Sequence, residues 1–273
     1  MTADEVELPK GDVTEGVVRV GDTVRRPHSD TSDGVAGYLA HLEAVGFDRA
    51  PRYLGRDDKG RDILTFLAGD VPGDNNPPPW ATSTTALASV ARLTRALHDA
   101  SAGYRAAQPI RPHDPSRPKP TFPPGEARLI SHRDITPGNT VFRDGAAWGL
   151  IDFDLSDETT RSIDLANTLM HWVPLCDPVD RRPSDVDVDV ALRLRTMLDA
   201  YGRDEVPATL LLEACELRFA DGYAAMKWAA EHLGGGWARM WDEGVGEVSR
   251  RRVAWFAAVR AELAVALDVS PTR

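Results

Sequence analysis

Residues 130–154 read ISHRDITPGNTVFRDGAAWGLIDFD, and the fold and chemistry of this chain can be worked outward from them. His132, Asp134 and Asn139 form the pattern H-x-D-x-x-x-x-N at the start of this stretch. The apolar pair before it predicts a short strand that leads into a loop. Pro137-Gly138 then turns that loop, because proline fixes φ and glycine permits conformations that other residues avoid.

A β-hairpin is predicted in the second half of the stretch. Two apolar runs flank Asp144-Gly145, and such a pair between such runs is a strong hairpin signal. Folding about this turn makes neighbours of Asn139 and Asp152, although thirteen positions separate them. An amide oxygen beside a carboxylate suits Mg²⁺, which prefers oxygen and shares its coordination with phosphates. Asp134 begins the same loop, where it can accept a proton from an acceptor hydroxyl.

Each of these residues also has an ordinary structural interpretation. Asp-Gly turns and surface aspartates are common, and a lone histidine is more often a hydrogen-bonded structural residue. That structural role is the one expected for His132. The ordered combination of strand, H-x-D, P-G-N, hairpin and D-F-D nevertheless favours a phosphoryl-transfer site.

The stretch resembles the catalytic loop and metal-binding segment of the aminoglycoside phosphotransferase/choline kinase family, which is related to the protein kinases. That family has H-x-D-x-x-x-x-N, often with P-G-N, and a hairpin that ends in I-D-[FWY]-[DE]. The resemblance implies ATP (or GTP) and Mg²⁺ as cofactors. It implies Asp134 and Asn139 as catalytic residues, and Asn139 and Asp152 as metal ligands. Asp154 stands where D-F-G of protein kinases has glycine.

The resemblance also implies the fold. We expect an α+β, protein-kinase-like, two-lobed architecture with a small N-terminal antiparallel β-sheet lobe that carries one helix. The larger C-terminal lobe is expected to be mainly helical. The polar, Pro/Gly-rich break GDVPGDNNPPPW at residues 69–80 predicts the boundary. Residues 1–70 would be the nucleotide-binding lobe, and residues 71–273 the catalytic and acceptor-binding lobe.

A hairpin of residues 17–20 and 23–26 is predicted in the N-terminal lobe. Residues 10–16 precede it, where the family places its loop over the ATP phosphates. The family expects a lysine or arginine on the third strand. Arg25 is the predicted phosphate-binding residue, because a two-residue turn sets it on one face with two valines, and Arg26 is the competitor.

A helix is predicted over residues 34–46, with Asp33 as its cap and an apolar stripe that ends at Val45. Kinase relatives set a glutamate of this helix against the strand cation, and Glu43, late in the helix, is the candidate. A later strand resembles the family's strand into the hinge. Backbone groups near Thr65 and Leu67 would hydrogen-bond the adenine.

Helical periodicity predicts five further helices, over residues 81–102, 160–172, 184–201, 206–233 and 236–267. Asp164 is expected to anchor the catalytic loop through hydrogen bonds, or to face the positive end of its own helix. Acidic and aromatic residues of the last two helices would either line an acceptor pocket or form helix-bundle core.

Composition restricts the class of partner. The 273 residues carry a formal charge of −10, which argues against nucleic acid and anionic membranes as partners and favours a cationic small molecule. Apolar runs of spanning length and signal-peptide features are both missing from the sequence. Two cysteines are too few for a disulfide framework or a zinc site, which is consistent with cytoplasm.

The expected activity is ATP- and Mg²⁺-dependent phosphorylation of a hydroxyl on a small cationic molecule, such as an aminoglycoside-like antibiotic. A metabolic kinase for a sugar or amino alcohol shares all these motifs. A non-catalytic, nucleotide-binding pseudokinase is a third interpretation, which the late glutamate and sparse glycines favour and the intact Asp134, Asn139 and Asp152 oppose. The sequence does not name the acceptor, separate ATP from GTP, or give the oligomeric state.

Overall fold

The computed structural model describes residues 5–8, 16–107, 110–111 and 113–269. Most of the predicted loop over the nucleotide phosphates, residues 10–16, therefore lies outside the described residues.

The N-terminal part of the described chain is a five-stranded antiparallel sheet in the order β1-β2-β3-β5-β4, with one helix packed near it. The elements are β1 (Glu5–Glu7), β2 (Val18–Val20), β3 (Thr23–Arg26), α1 (Ser32–Ala44), β4 (Tyr53–Arg56) and β5 (Asp62–Thr65).

The predicted hairpin between β2 and β3 is present. Val18 lies opposite Arg25 in the antiparallel register, and Val20 lies opposite Thr23. Arg25 therefore shares a face with the two valines, as the alternation of side chains requires. The adjacent Arg26 faces the opposite side of the sheet.

Helix α1 differs from its prediction at both ends. Asp33 does not cap it, because the helix begins at Ser32 and the cap position is Thr31. Asp33 forms an ion pair with Arg56 at 2.7 Å instead. The helix ends at Ala44, so Val45 leaves the apolar stripe and its side chain is 52% exposed.

Helices dominate the rest of the chain and surround two short two-stranded ladders, β6 with β9 and β7 with β8. The elements are α2 (Thr84–Ser101), β6 (Arg128–Ser131), β7 (Thr140–Arg143), β8 (Ala146–Leu150), β9 (Asp157–Thr160), α3 (Arg161–Trp172), α4 (Val190–Tyr201), α5 (Ala208–His232), α6 (Gly235–Asp242) and α7 (Val245–Ala266). None of the helices in the described ranges is long and apolar enough to span a bilayer.

The helix predicted over residues 236–267 is two helices. The helix is interrupted at Gly244, whose φ of +96° lies in the left-handed region, and α7 starts at the next residue. Glycine adopts this conformation at little cost. A continuous periodic pattern on both sides of the break hid it in the sequence.

Contacts between the N-terminal part, which contains the sheet, and the helical part fix the position of the segment between them. The hydroxyl of Tyr38, on α1, lies 2.6 Å from Ser101 Oγ on α2 and donates to Ile130 O at 3.2 Å. Asp70 exchanges two backbone hydrogen bonds with Phe142, at 2.9 and 2.8 Å. The boundary after residue 70 stays a prediction, but the break that follows is tied to the β7–β8 hairpin.

Helix α1 offers a matched test of its buried face. Val35 is 2% exposed, whereas Val45 is 52% exposed just past the helix end. Val35→Ala should lower the free energy of unfolding by roughly 1.5–3 kcal/mol, because buried methyl groups are lost from a packed core. Val45→Ala is the control and should change it by less than about 0.5 kcal/mol.

Urea unfolding of the two variants measures both values. Equal losses would contradict the burial assigned to this helix.

Candidate active site

The loop between β6 and β7 is held by His132 in a fixed tautomer. Its Nδ1 accepts a hydrogen bond from Asp134 N at 3.2 Å, so Nε2 carries the proton and donates to Ile151 O at 2.8 Å. Burial lowers the pKa of His132, which keeps the ring neutral. These contacts give the histidine a structural position beside the chemistry, as predicted.

The β7–β8 hairpin closes the loop from its other end. Ile151 N donates to Asn139 O at 2.9 Å, which continues the pairing of Thr140 with Leu150. The two ends of the catalytic loop are thereby joined to the strand that delivers Asp152. This is the neighbourhood that the Asp-Gly turn predicted.

Asp134 and Asn139 form a hydrogen-bonded pair. Asn139 Nδ2 donates to Asp134 Oδ2 at 2.8 Å and to the Asp134 carbonyl at 3.0 Å. Burial raises the pKa of the Asp134 carboxyl to about 7, and the negative charges of Asp152 and Asp74 add to the rise. A carboxyl with this pKa exchanges protons readily near neutral pH, which suits a general base.

Asp152 presents an exposed carboxylate from a left-handed backbone conformation, with φ +62° and ψ +69°. It accepts no hydrogen bond from any described residue. Asn139 uses its amide nitrogen on Asp134, which leaves the amide oxygen for another partner. A carboxylate and an amide oxygen fit Mg²⁺ better than zinc. The described residues hold no cluster of three or more His, Cys, Asp or Glu suited to a metal ion.

The strand cation nearest the site is Arg26. It is 6% exposed, forms an ion pair with Asp154 through Nη1, and lies 3.7 Å from Asp62. Burial lowers the pKa of Arg26, and the charges of Asp152 and Asp62 oppose that fall.

Arg25 lies on the other face of β3. Its Nη1 donates to Thr23 Oγ1 at 2.6 Å, and its Nε lies 3.8 Å from Asp57 Oδ2. The contacts therefore favour the competitor, Arg26, over Arg25 as the phosphate-facing cation. The face that each arginine takes depends on packing that the strand pattern alone does not contain.

A buried aspartate outside the helix takes the place expected for Glu43. Asp62, on β5, is paired in register with Arg26 and is fully buried. Its carboxylate also accepts from Ser32 Oγ at 2.5 Å and lies 2.9 Å from His28 Nδ1. Glu43 instead lies 3.2 Å from the exposed Arg52. The strand positions were predictable, but the register that joins residues 26 and 62 was not.

Thr65 and Leu67, whose backbone groups are predicted to bond to adenine, differ in whether those groups are free to do so. Thr65 N already donates to Arg52 O at 3.0 Å within the sheet. Leu67 follows β5, and its backbone groups bond to no other described backbone group. Leu67 therefore fits the predicted contact with the base better than Thr65.

The Pro/Gly-rich break also contributes to the site. Asp74 Oδ1 accepts from Gly138 N, in the catalytic loop, at 2.7 Å. A β-carbon at position 138 would overlap the Asp74 carboxylate, so this approach requires glycine. Asp74 was missed in the sequence because aspartate in such a break is ordinary loop composition.

Asp164 anchors the start of the loop, as expected. Its Oδ2 accepts from Ser131 Oγ at 2.7 Å and pairs with His98 Nε2 at 2.9 Å, and both partners are buried. His98 Nδ1 lies 2.7 Å from the hydroxyl of Tyr201 on α4. This chain of polar contacts links the catalytic loop to α2, α3 and α4.

Comparisons with known proteins agree with this geometry. Residues 110–186 match the model of a family described as the phosphotransferase enzyme family. The trifolitoxin immunity protein of Rhizobium leguminosarum bv. trifolii is 34% identical over 206 residues, which cover 73% of this chain and 74% of that protein. The chain belongs to the phosphotransferase enzyme family.

Solved structures of low sequence identity show the same fold. The GDP complex of an aminoglycoside 2′-phosphotransferase-IIIa matches with a TM-score of 0.60 at 15% identity, covering 93% of each chain. A choline/ethanolamine kinase family protein from Mesorhizobium loti matches with a TM-score of 0.57 at 17% identity, over 98% of this chain and 92% of that one. The predicted protein-kinase-like α+β fold is confirmed, and the chain is an enzyme of the phosphotransferase, kinase type.

The raised pKa of Asp134 indicates that ionising this carboxyl lowers the stability of the folded protein. Because its value is about 7 against an ordinary 3.8, the stability that the protonated carboxyl allows is present below about pH 4 and lost as the pH rises through about 7. In metal-free buffer with EDTA, Asp134→Asn should therefore raise the Tm at pH 8, and the gain should shrink towards pH 5. Calorimetry at the two pH values measures the difference.

Asp58→Asn, in the exposed turn between β4 and β5, controls for the removal of a surface carboxylate. A lower Tm for Asp134→Asn at pH 8 would contradict the electrostatics described.

Proposed function

We propose that this enzyme transfers the terminal phosphoryl group of a nucleoside triphosphate to a hydroxyl group of a small molecule. The observation that carries the proposal is the Asp134–Asn139 hydrogen bond of 2.8 Å, set beside the unpartnered carboxylate of Asp152. The three side chains bring together a base and two oxygen ligands for a metal. Phosphoryl transfer needs little more than such positioning and charge stabilisation.

Asp134 would bind the acceptor hydroxyl, orient it and take its proton as the oxygen attacks phosphorus. Its pKa of about 7 makes it a stronger base than an ordinary aspartate, while it is still ionised in much of the protein at neutral pH. His132 and Asn139 hold it in place, through the backbone and the carboxylate respectively.

Asn139 and Asp152 would hold Mg²⁺, which supplies positive charge to the nucleotide phosphates. The repulsion between Asp134 and Asp152 supports this role, because a site in which carboxylates destabilise one another favours a bound cation. Arg26 would contact the phosphates from β3, steadied by the buried Asp62. Leu67 would hydrogen-bond the base, whether adenine or guanine.

The pairing of Arg26 with Asp62 weakens the case for a non-catalytic pseudokinase. That interpretation depended in part on the late position of Glu43, which left the strand cation without its expected carboxylate partner. Asp62 provides a buried carboxylate for the cation without using α1. The catalytic interpretation also has the intact Asp134, Asn139 and Asp152 in its favour.

The acceptor is proposed only as a class. The curated relative is an immunity protein, which supports a protective role in which the enzyme inactivates a toxic compound. The net charge of −10 favours a cationic acceptor such as an aminoglycoside, whereas the arginines near Asp134, Arg218 among them, favour an anionic one. A metabolic sugar or amino-alcohol kinase would use the same catalytic residues.

Substitution of Asp152 should remove Mg²⁺-dependent nucleotide binding, whereas substitution of Asp134 should remove turnover and leave that binding intact. With ATP or GTP, the wild-type protein should gain Tm only when Mg²⁺ is also present, because metal and phosphates complete one site. Asp152→Ala should lose this Mg²⁺-dependent gain. Asp134→Ala should keep it but lose at least about a thousandfold in phosphoryl-transfer rate, to an acceptor or to water.

Thermal-shift titration and a coupled nucleoside-diphosphate assay measure the two properties. Retained turnover in Asp134→Ala would remove Asp134 as the base, and no Mg²⁺-dependent gain in the wild type would favour the pseudokinase.

A further inference from the structure

Four arginine side chains lie near the catalytic loop that carries Asp134. They come from four separate parts of the chain and are all half-buried. We call them the arginine cluster, and its members are Arg111, Arg133, Arg218 and Arg252.

Arg218, on α5, is tied to the residue that precedes Asp134. Its Nε donates to Asn167 Oδ1 at 2.8 Å, and Asn167 Nδ2 donates to Arg133 O at 2.6 Å. One asparagine on α3 therefore fixes Arg218 against the backbone of the catalytic loop. The charge of Arg218 lowers the pKa of Asp134, which shows that the two groups interact.

Arg111 approaches from the metal side of the site. Its Nη2 donates to Asp154 O at 3.1 Å. Arg111, Arg133 and the neighbouring Arg117 all direct guanidinium groups at Asp157, at 3.9, 3.4 and 3.4 Å. One carboxylate cannot neutralise three cations, so this side of the cluster keeps a positive charge.

Arg252, on α7, lies close enough to Arg218 for its charge to lower the pKa of Arg218. Its Nε donates to Leu175 O at 3.1 Å, and it lines a cavity of about 190 Å³ together with Asp74. No described carboxylate lies at ion-pair distance from Arg252 or Arg218.

The carboxylates that line this cavity are already bonded to other groups. Asp180 pairs with Arg251 outside the cavity, at 2.5 Å. Asp185 pairs with two arginines, at 2.6 and 2.9 Å. Asp74 accepts from the catalytic loop. None of them lies within ion-pair distance of Arg252, although the charge of Asp180 reaches it.

Arg111 and Arg218 are charged at neutral pH, because the pKa of each, although lowered by burial, is about 10. Burial and the charges of Arg133 and Arg252 lower the pKa of Arg218 to about 10, which still leaves it protonated. Half-buried cations without carboxylate partners cost free energy in the empty protein. An anion bound among them would remove that cost, and arginine forks match carboxylate and phosphate oxygens geometrically.

We propose that the acceptor carries a carboxylate or phosphate group besides its reactive hydroxyl, and that Arg218 and Arg252 bind this group beside Asp134. The inference rests on the proposed phosphotransferase function and specifies its substrate class. It reverses the cationic acceptor suggested by the net charge of −10, which describes the whole chain and not this site.

Four sugars with a common ring test the charge preference. Glucuronate and glucose 6-phosphate are the anionic probes, and glucose and glucosamine are the neutral and cationic ones. Each is titrated into the full-length protein saturated with ADP and Mg²⁺, at low ionic strength, and followed by thermal shift. Both anionic sugars should bind at least about tenfold more tightly than glucose and glucosamine. The stronger of the two responses separates a carboxylate from a phosphate site.

Arg218→Gln and Arg252→Gln should each reduce the anion preference about tenfold or more, because a charged hydrogen-bond donor is lost. Arg260→Gln is the matched control, since Arg260 joins α7 to α5 through Glu216 at 2.8 Å without belonging to the cluster. It should leave the preference unchanged.

Equal binding of all four sugars, including no binding of any, would overturn the proposal, and so would a preference for glucosamine. An anion preference that survives both cluster variants would overturn the assignment of Arg218 and Arg252. The ADP–Mg²⁺ shift, measured first in the same protein, keeps the two claims apart. Its absence would count against the nucleotide site, whereas its presence without a charge preference would count against the anionic acceptor alone.

Discussion

The peptide groups of Ile151 hold the site together from both sides. Its carbonyl accepts from His132 at 2.8 Å, at the start of the catalytic loop, and its N–H donates to the Asn139 carbonyl at 2.9 Å, at the end. Because both ends of the loop are hydrogen-bonded to Ile151, the loop keeps its position relative to the segment that carries Asp152. Asp134 and Asp152 are therefore held in one neighbourhood by backbone geometry, before any ligand is bound.

That geometry concentrates negative charge at a cost to the empty protein. Asp152 and Asp74 both raise the pKa of Asp134. Of the aspartates in residues 130–154, Arg26 forms an ion pair with Asp154 alone. Left-handed backbone at Asp152 adds local strain for a residue with a β-carbon. Such features are expected where a fold is organised for a charged ligand and not for maximal stability.

The sequence contains local signals for the centre of the site and few for its surroundings. Pro137-Gly138 and Asp144-Gly145 act over a few residues, so the loop, the hairpin and the approach of Asn139 to Asp152 could be predicted. The choice between Arg25 and Arg26 depends on which face of β3 meets the rest of the protein. That choice is made by packing, which no pattern of four residues contains.

Contacts between distant segments were out of reach for the same reason. Asp62 meets Arg26 through a strand register, and Asp74 meets Gly138 across sixty-four positions. The break at Gly244 interrupts a periodic pattern that continues on both sides. The arginine cluster joins a loop, the catalytic segment and two helices, and arginine on a helix is ordinarily a surface residue.

The claim that Asp134 and Asp152 share one electrostatic site can be measured at the carboxyl itself. Carbon-13 NMR of aspartate-labelled protein, with Asp134→Asn used to assign the signal, gives the pKa of Asp134 with EDTA and again with ADP and Mg²⁺. We expect Asp134 to titrate near pH 7 in the metal-free protein and to have a lower pKa once Mg²⁺ neutralises Asp152. A pKa near the ordinary value of 3.8 that does not respond to Mg²⁺–ADP would contradict it.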